Sequence, residues 1–376
     1  MKYKLFFLFF LLFEFFLRIC FPALAADIFS LNFPNLESPF LYNEKIGYEL
    51  KPYALIKSGP DSAWYLERLN SDGFRGPEYI IPKPKDTFRI LVIGDSLVQQ
   101  QELKYSDTWE VILENLLNQK EYPLRFEVIN AGIGGYVSWQ VLERLKTRGL
   151  KYQPDLVILV VGKNDLIFST LSYWRPKINL ADIESAYQKK NSCQRINFFK
   201  RIRLFLYKYF YTFRLVRNLF NSLGDFLYRT KIILQHKNDS KIPFNQQALD
   251  LYLENLGNIY GILKENNIGM ALVIWPTILE EDLLNSPLIH QKLFLLYQHF
   301  PLSAKELLMW NKRYILAQKE FFRIHSDIIL IDGEEFFLKN YGKKRIKLFK
   351  DFVHMNKEGT KIIAKLIYDN LVKNIK

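Results

Sequence analysis

Five short apolar segments alternate with amphipathic helical segments from residue 88 onwards, and this alternation limits the fold more than any other feature. The segments are FRILVIG, FEVINAG, PDLVILVVG, GMALVIWP and DIILIDG. Apolar strands separated by helices are typical of a parallel sheet that is covered on both faces. The sequence therefore predicts an α/β fold with a flavodoxin-like, doubly wound sheet of about five parallel strands.

A polar cluster follows each of the first three predicted strands. Gly94-Asp95-Ser96 ends the first strand, GIGG at 132–135 follows the second, and Gly162-Lys163-Asn164-Asp165 follows the third. In doubly wound sheets, binding and catalytic sites form beyond the carboxyl ends of the strands. We therefore expect all three clusters at one edge of the sheet.

Ser96 is a candidate nucleophile, and a serine hydroxyl needs a base to take its proton. The sequence has five histidines: His236, His290, His299, His325 and His354. Only His354 has a suitably placed carboxylate near it in the sequence. Asp351 lies three residues before it, just ahead of the last predicted helix. A turn of this length lets the carboxylate fix the tautomer of the imidazole ring.

Acyl transfer also needs hydrogen-bond donors for an oxyanion. The candidates are the amide of Ser96 at a helix N-terminus, the amide of Gly135, and the side chain of Asn164. Taken singly, each has an ordinary structural explanation, as a helix cap, a turn residue and an Asx-turn respectively. They indicate a function only when they are considered together with Ser96, His354 and Asp351.

The combination resembles the SGNH or GDSL hydrolase family over about residues 86–374. Four blocks occur in the family's order: Gly94-Asp95-Ser96-Leu97, NAGIGGYVSWQ, Gly162-Lys163-Asn164-Asp165 and DFVHMNKEG. Within the second block, Gly135 falls at the family's oxyanion glycine, and the neighbouring Gly134 is the alternative assignment. The sequence departs from the pattern in SLVQQQEL, which lacks the glycine that often follows the first block.

The resemblance implies the SGNH hydrolase fold and assigns roles to the candidate residues. Ser96 would be the nucleophile, His354 the general base and then acid, and Asp351 the group that orients His354. The amide of Ser96, Gly135 and Asn164 would form the oxyanion hole. An acyl-serine intermediate would be released to water, and the substrates would be small acyl esters, thioesters or lipid esters.

No cofactor or metal is expected. The GIGGYV segment would need a glycine at Val137 to form a dinucleotide-binding loop. No cluster has zinc-ligand spacing, and no Walker loop is present.

Residues 1–26 predict a signal anchor or a signal peptide. Lys2 and Lys4 precede an apolar run at 5–26, and small residues near Ala25 resemble a cleavage site. Glu14 and Arg18 interrupt the run four residues apart, which favours a retained anchor over a cleaved peptide. We therefore expect a single-pass cell-membrane protein with an exported domain. The alternative is a periplasmic or secreted protein.

The remaining chain divides into three predicted parts. Residues 27–85 form an irregular N-terminal arm, with a hairpin suggested around Asp72-Gly73, and residues 86–374 form the hydrolase domain. A basic, aromatic insertion at about 175–245 interrupts this domain. Its helix at 200–220 has one apolar face and one basic face, so it either packs on the domain or lies on an anionic membrane. Although the formal net charge is +13, nucleic acid is not an expected partner.

Three functions remain open from the sequence. The first is a serine esterase, and its predicted export directs it towards O-acetyl groups of cell-envelope polysaccharide. The second is an O-acyltransferase that passes the acyl group to a sugar hydroxyl through the same acyl-serine. The third is a non-catalytic envelope scaffold, against which the intact set of Ser96, Asp351 and His354 argues.

Overall fold

The computed structural model describes residues 39–59, 65–119, 122–170, 242–284, 286–297, 300 and 302–374. The predicted anchor or signal segment and the predicted helix at 200–220 lie outside the described residues. Within the described ranges, no helix combines the length and the apolar character that a bilayer crossing requires. The predicted membrane segment therefore stays a prediction.

The described part of the N-terminal arm contains two short antiparallel hairpins. Strand β1 (Phe40–Asn43) pairs with β2 (Gly47–Leu50), and β3 (Leu55–Ser58) pairs with β4 (Tyr65–Arg68). The arm is thus more regular than its many turn-forming residues suggested. The expected hairpin around Asp72-Gly73 is a tight turn without flanking strands, held by the side-chain oxygen of Asn70, which accepts the amides of Asp72 and Phe74.

Five parallel strands form the central sheet, as predicted. They are β5 (Thr87–Gly94), β6 (Arg125–Asn130), β7 (Leu156–Val160), β8 (Gly269–Ile274) and β9 (Ile329–Asp332). Their spatial order is β6-β5-β7-β8-β9, and every neighbouring pair is parallel. This is the flavodoxin-like order, in which the first strand of the sheet lies beside both the second and the third.

The described ranges contain ten helices. They are α1 (Ser96–Gln99), α2 (Trp109–Asn118), α3 (Ser138–Arg144), α4 (Lys163–Phe168), α5 (Gln246–Glu265), α6 (Pro287–Lys292), α7 (Phe294–Tyr297), α8 (Ala304–Ile324), α9 (Gly333–Tyr341) and α10 (Lys357–Asn374). Five of the ten lie on the predicted amphipathic segments, namely α2, α3, α5, α8 and α10, and the five others were not predicted as such segments. Single 3₁₀ turns occur at Tyr105–Asp107, Leu150–Tyr152 and Glu281–Leu283, a longer 3₁₀ segment at Gly342–Leu348, and a π-helical turn at Leu145–Gly149.

The larger helices pack in two groups, as a doubly wound sheet requires. Helix α10 packs on α2, while α5 contacts α3, α4 and α8. The sequence of α2 explains its packing. Trp109, Leu113 and Leu117 lie four residues apart, so they form one apolar face of the helix, and all three are buried. The sheet is equally apolar, since every residue of β7 is buried. This core fixes the carboxyl ends of the strands, where the polar clusters lie.

Candidate active site

Ser96 lies directly beyond the carboxyl end of β5, as the first residue of α1. Only a glycine fits at position 94, because a Cβ there would come within 2.1 Å of the carbonyl oxygen of Val160 in the adjacent strand β7. The carboxylate of Asp95 accepts the amide of Leu97 at 2.9 Å and so caps α1. The sharp turn from strand to helix holds the Ser96 hydroxyl at the sheet edge.

The structure brings together the three residues that the sequence predicted as a triad. The Ser96 hydroxyl oxygen lies 2.8 Å from Nε2 of His354. On the other side of the ring, Nδ1 lies 2.6 Å from Oδ2 of Asp351. The second carboxylate oxygen of Asp351 accepts the amides of Val353 and His354 at 2.9 and 2.7 Å. The carboxylate is therefore fixed by the turn whose histidine it orients.

The turn that carries His354 is anchored at both ends. The amide of Lys350 donates to the carbonyl of His354 at 2.7 Å and closes the turn. The side-chain oxygen of Asn356 accepts two amides of the first turn of α10 and so caps that helix. The indole N–H of Trp275, just beyond β8, donates to the carbonyl of Val353 at 2.9 Å. The sheet therefore positions the candidate base, His354, as well as the candidate nucleophile, Ser96.

The electrostatic surroundings favour a charged pair between His354 and Asp351. Burial lowers the pKa of His354, but the hydrogen bond and the charge of Asp351 outweigh it and raise this pKa to about 9. Burial raises the pKa of Asp351, but the hydrogen bond from His354 and its charge bring this pKa below its usual value. Near neutral pH the pair is mainly imidazolium and carboxylate, so a neutral base becomes more abundant as the pH rises.

The hydrogen bonds of their amides distinguish the two candidate oxyanion glycines, Gly134 and Gly135. The amide of Gly134 donates to the side-chain oxygen of Gln99 at 2.8 Å, so it is already occupied. The amide of Gly135 donates to no acceptor within the described residues. A Cβ placed on Gly134 would lie 3.8 Å from the Cβ of Ser96, so the peptide that follows Gly134 is close to the nucleophile. This arrangement favours Gly135 as the donor.

Asn164 lies at the carboxyl end of β7, beside the strand that carries Ser96. Its side-chain amide donates one hydrogen to the carbonyl of Tyr136 at 2.9 Å. An amide nitrogen carries two hydrogens, and the second has no acceptor among the residues that the structure describes. The bond ties Asn164 to the loop that contains Gly135, and the two predicted donors are thus held together.

Asp165 has a supporting role that its motif did not reveal. Its carboxylate accepts the amide of Ser138 at 3.0 Å and also the hydroxyl of that residue. The hydroxyl in turn accepts the side-chain amide of Asn255 at 2.9 Å. A carboxylate at the first residue of α3 stabilises that helix end. Asp165 therefore joins the loop after β6 to the loop after β7.

Gln100 takes the place of the glycine that SLVQQQEL lacks. Its backbone is left-handed, with φ 44° and ψ 46°, a conformation that glycine adopts most readily. The side-chain oxygen of Gln100 accepts the amide of Trp109 at 2.9 Å. This hydrogen bond fixes the turn after Ser96 against the start of α2, so the departure leaves the turn formed.

Two other histidines of the described ranges have partners of their own. The ring Nδ1 of His290 lies 3.0 Å from the hydroxyl of Tyr297, and that of His325 lies 2.9 Å from the carbonyl of Phe321. His236 and His299 lie outside the described residues. In the described ranges, no group of three or more His, Cys, Asp or Glu side chains is arranged to hold a metal ion.

Three polar residues of the site were not found from the sequence: Tyr48, Arg75 and Gln99. Tyr48 donates its hydroxyl hydrogen to the carbonyl of Gly134 at 2.8 Å, and the Arg75 guanidinium donates to the carbonyl of Gln99 at 2.7 Å. These partners are 86 and 24 residues apart in the chain. No local spacing marks such pairs, because the folding of the arm onto the domain creates them.

Residues 92–203 match the model of the GDSL-like lipase/acylhydrolase family. The matched region contains the first three polar blocks and ends before Asp351 and His354. No protein of curated description matches the chain.

Similar solved structures include three proteins with low sequence identity. An acetyl xylan esterase is 16% identical over 75% of this chain and 98% of its own, with a TM-score of 0.43. A lipase/acylhydrolase from Enterococcus faecalis is 13% identical over 77% and 97%, with a TM-score of 0.43. A catalytic mutant of an acetylxylan esterase from Geobacillus stearothermophilus is 14% identical over 76% and 94%, with a TM-score of 0.42.

Proposed function

Since the chain belongs to the GDSL-like lipase/acylhydrolase family and is an ester-hydrolysing enzyme, we propose that it uses Ser96, His354 and Asp351 as a catalytic triad. The observation that carries the proposal is the pair of hydrogen bonds that joins the three side chains, at 2.8 and 2.6 Å. Such a chain of nucleophile, base and orienting carboxylate activates a serine hydroxyl.

The geometry supports an acyl-serine pathway. The Ser96 oxygen attacks the acyl carbon while Nε2 of His354 takes the hydroxyl proton, and the carbonyl electron pair moves onto its oxygen. That oxyanion is held by the amides of Ser96 and Gly135 and by the side chain of Asn164. Collapse breaks the ester bond, and His354 protonates the leaving alcohol. Water then repeats both steps and releases the acid.

Replacement of Ser96 tests the proposal directly. Ser96→Ala should abolish hydrolysis of a short acyl ester and also covalent labelling by a serine-reactive phosphonate. Ser71→Ala removes a hydroxyl that is bonded only to Glu78 in the described part of the chain, and should match the parent in both assays. Folded Ser96→Ala protein that hydrolyses the ester at the parent rate would overturn the triad. An unlabelled, inactive parent would favour the non-catalytic scaffold.

The substrate proposal rests on the export-type sequence at residues 1–26. An exported esterase meets acyl groups on envelope polysaccharide, and we include O-acetylated glycans among its proposed substrates. Water and a sugar hydroxyl compete for the same acyl-serine, so hydrolysis and transfer share one site. Release of acetate that is unchanged by added glycan acceptor supports hydrolysis. Acetate release that falls while the acceptor becomes acetylated supports the transferase.

The location proposal is a membrane-anchored protein whose catalytic domain is exported. A membrane-bound protein with an intact Met1 supports it, and a soluble form that begins near Ala26 or Asp27 contradicts it. We also propose that the basic, aromatic segment at 200–220 contacts anionic lipid. Binding of a protein without residues 1–26 to anionic vesicles should then weaken with salt, because screened charge contributes to it. Equal, negligible binding to neutral and anionic vesicles would favour packing on the domain.

A further inference from the structure

The peptide between Gly134 and Gly135 is held by a residue of the N-terminal arm. Tyr48, in β2, donates its hydroxyl hydrogen to the carbonyl oxygen of Gly134 at 2.8 Å. The carbonyl of Gly134 and the amide N–H of Gly135 belong to the same peptide group. The residue that binds one end of this peptide therefore acts on the proposed oxyanion donor at its other end.

The planarity of the peptide turns this contact into an orienting device. The peptide is trans, so its C=O and N–H point in opposite directions. A donor that fixes the carbonyl on one side consequently fixes the direction of the N–H on the other. Without this hydrogen bond, a flip of the peptide plane would cost little free energy. The peptide joins two glycines, and Gly135 already has a left-handed backbone, with φ +84°.

We propose that Tyr48 is a positioning residue that aims the Gly135 amide at the oxyanion and increases its strength as a donor. The inference rests on the proposed serine-esterase function and deepens it, because it makes the arm a functional part of the oxyanion hole. A carbonyl that accepts a hydrogen bond polarises its peptide, which strengthens the N–H on the opposite side. No step requires Tyr48 to touch the substrate.

Tyr48 is itself held rigidly in place. Its backbone carbonyl accepts the hydroxyl of Tyr136, and its ring packs edge-on against the rings of Tyr136 and Phe40, at centroid distances of 5.2 and 5.5 Å. The side chain of Gln140 donates to the carbonyl of Ile46 at 2.9 Å, which ties the start of β2 to α3. Burial raises the pKa of Tyr48 well above its usual value, so the phenol keeps its hydrogen at working pH.

The experiment compares Tyr48→Phe with the parent enzyme. Phenylalanine keeps the ring contacts and removes only the donated hydrogen. We expect kcat to fall by at least about 10-fold. The upper limit is the decrease of about 10²–10³-fold that follows the complete loss of an oxyanion donor. The KM and the midpoint of the acid side of the pH profile should not change, because neither substrate binding nor the His354–Asp351 pair is altered.

Two controls keep the result interpretable. Tyr53→Phe changes an arm tyrosine that is 51% exposed, and should match the parent. The value of kcat is expressed per Ser96 titrated to completion with a phosphonate, so unfolded protein does not count. Tyr48→Phe with a kcat within twofold of the parent, beside an inactive Ser96→Ala, overturns the positioning role and leaves the triad standing. An active Ser96→Ala would instead overturn the proposed function itself.

Discussion

At the scale of single residues, the orientation of the Asp351 carboxylate decides which proton His354 carries. One carboxylate oxygen is occupied by the amides of Val353 and His354, and the other faces Nδ1 of the ring. In Asp351→Asn, the amide oxygen should stay with the two backbone donors, which places the NH₂ group opposite Nδ1. The ring must then carry its proton on Nε2, where it can no longer accept the proton of Ser96.

Asp351→Asn should therefore lower the rate by up to about 10⁴-fold and also move the pH profile. In the parent, activity should rise with pH as His354 loses its proton, with a midpoint well above 6.5 and towards the pKa of about 9. Loss of the negative charge leaves burial as the main influence, which lowers the pKa, so the residual activity should have its midpoint at lower pH. A profile of kcat/KM against pH for both proteins checks this. An unchanged midpoint would show that Asp351 does not set the pKa.

Asn164 offers a second test at the residue scale. Asn164→Ala should lower kcat by about 10²–10³-fold with little change in KM, because an oxyanion donor acts mainly in the transition state. Asn164→Asp, which has the same shape, should be at least as damaging, since a carboxylate repels the oxyanion. Steady-state kinetics on a short acyl ester measure both variants. An Asp variant as active as the parent would exclude the side-chain amide as a donor.

At the scale of elements, the arm and the nucleophile turn are joined by one buried arginine. The guanidinium of Arg75, which is 1% exposed, donates to the carbonyls of Gln99 and Gln100 at the C-terminal end of α1. It also bonds the hydroxyl of Ser58 and both carboxylate oxygens of Glu67, in β3 and β4. The second hairpin is thereby attached to the turn that presents Ser96.

Arg75→Lys should destabilise the fold although it preserves the charge. A lysine has three donors against the five of arginine, so at least two buried acceptors would lose their partners, at about 1–3 kcal/mol each. The free energy of unfolding should fall by about 2–6 kcal/mol, measured by denaturant titration. Arg68→Lys alters an exposed arginine of the same arm and should change stability by less than about 0.5 kcal/mol. Equal stabilities of the two variants would refute the stabilising role of the Arg75 hydrogen bonds.

The elements also show what could be predicted from the sequence. Strand β5 was expected at 88–94 and runs from Thr87 to Gly94, because a continuous apolar run bounded by turn residues has few other solutions. The Asp351–His354 turn was equally accessible, since its hydrogen bonds connect residues three apart. Local patterns were sufficient wherever the deciding contacts were local.

The remaining features depend on contacts between distant parts of the chain. The left-handed backbone of Gln100 contradicts the preference of its residue type, and its hydrogen bond to Trp109 becomes possible only when α2 packs beside the turn. The hydrogen bond from Tyr48 to Gly134 joins residues 86 apart. Such pairs follow from tertiary packing, which the pattern of one sequence does not contain.

At the scale of the whole molecule, buried carboxyl groups should make stability depend on pH. Burial raises the pKa of Asp165 to about 6, of Asp95 to about 7 and of Glu110 to about 8. Each group stays protonated in the folded protein at a pH where the unfolded chain has already ionised. Their contributions to stability are complete below the unfolded pKa values near 4 and are lost as the pH rises through these folded values.

Glu110→Gln isolates one of these contributions without touching the site. Glu110 is 1% exposed, and the burial of its carboxyl group outweighs the opposing influence of Arg75, Thr108 and Asn130 on its pKa. A glutamine does not ionise, so the variant should melt at a higher temperature than the parent at pH 9 and at about the same temperature at pH 4. Calorimetry at the two pH values measures the difference. A variant that is no more stable than the parent at pH 9 would refute the assignment.

The separation of Ser96 and His354 by 258 residues also has a consequence for biosynthesis. At a synthesis rate of about 5–20 residues per second, Ser96 is synthesised roughly 13–50 seconds before His354. During that interval the polypeptide lacks the base that we propose for Ser96. Under the proposed triad, translation that stalls between the two positions therefore yields an inactive fragment, and hydrolysis requires the later-synthesised turn of His354 to dock beyond β5.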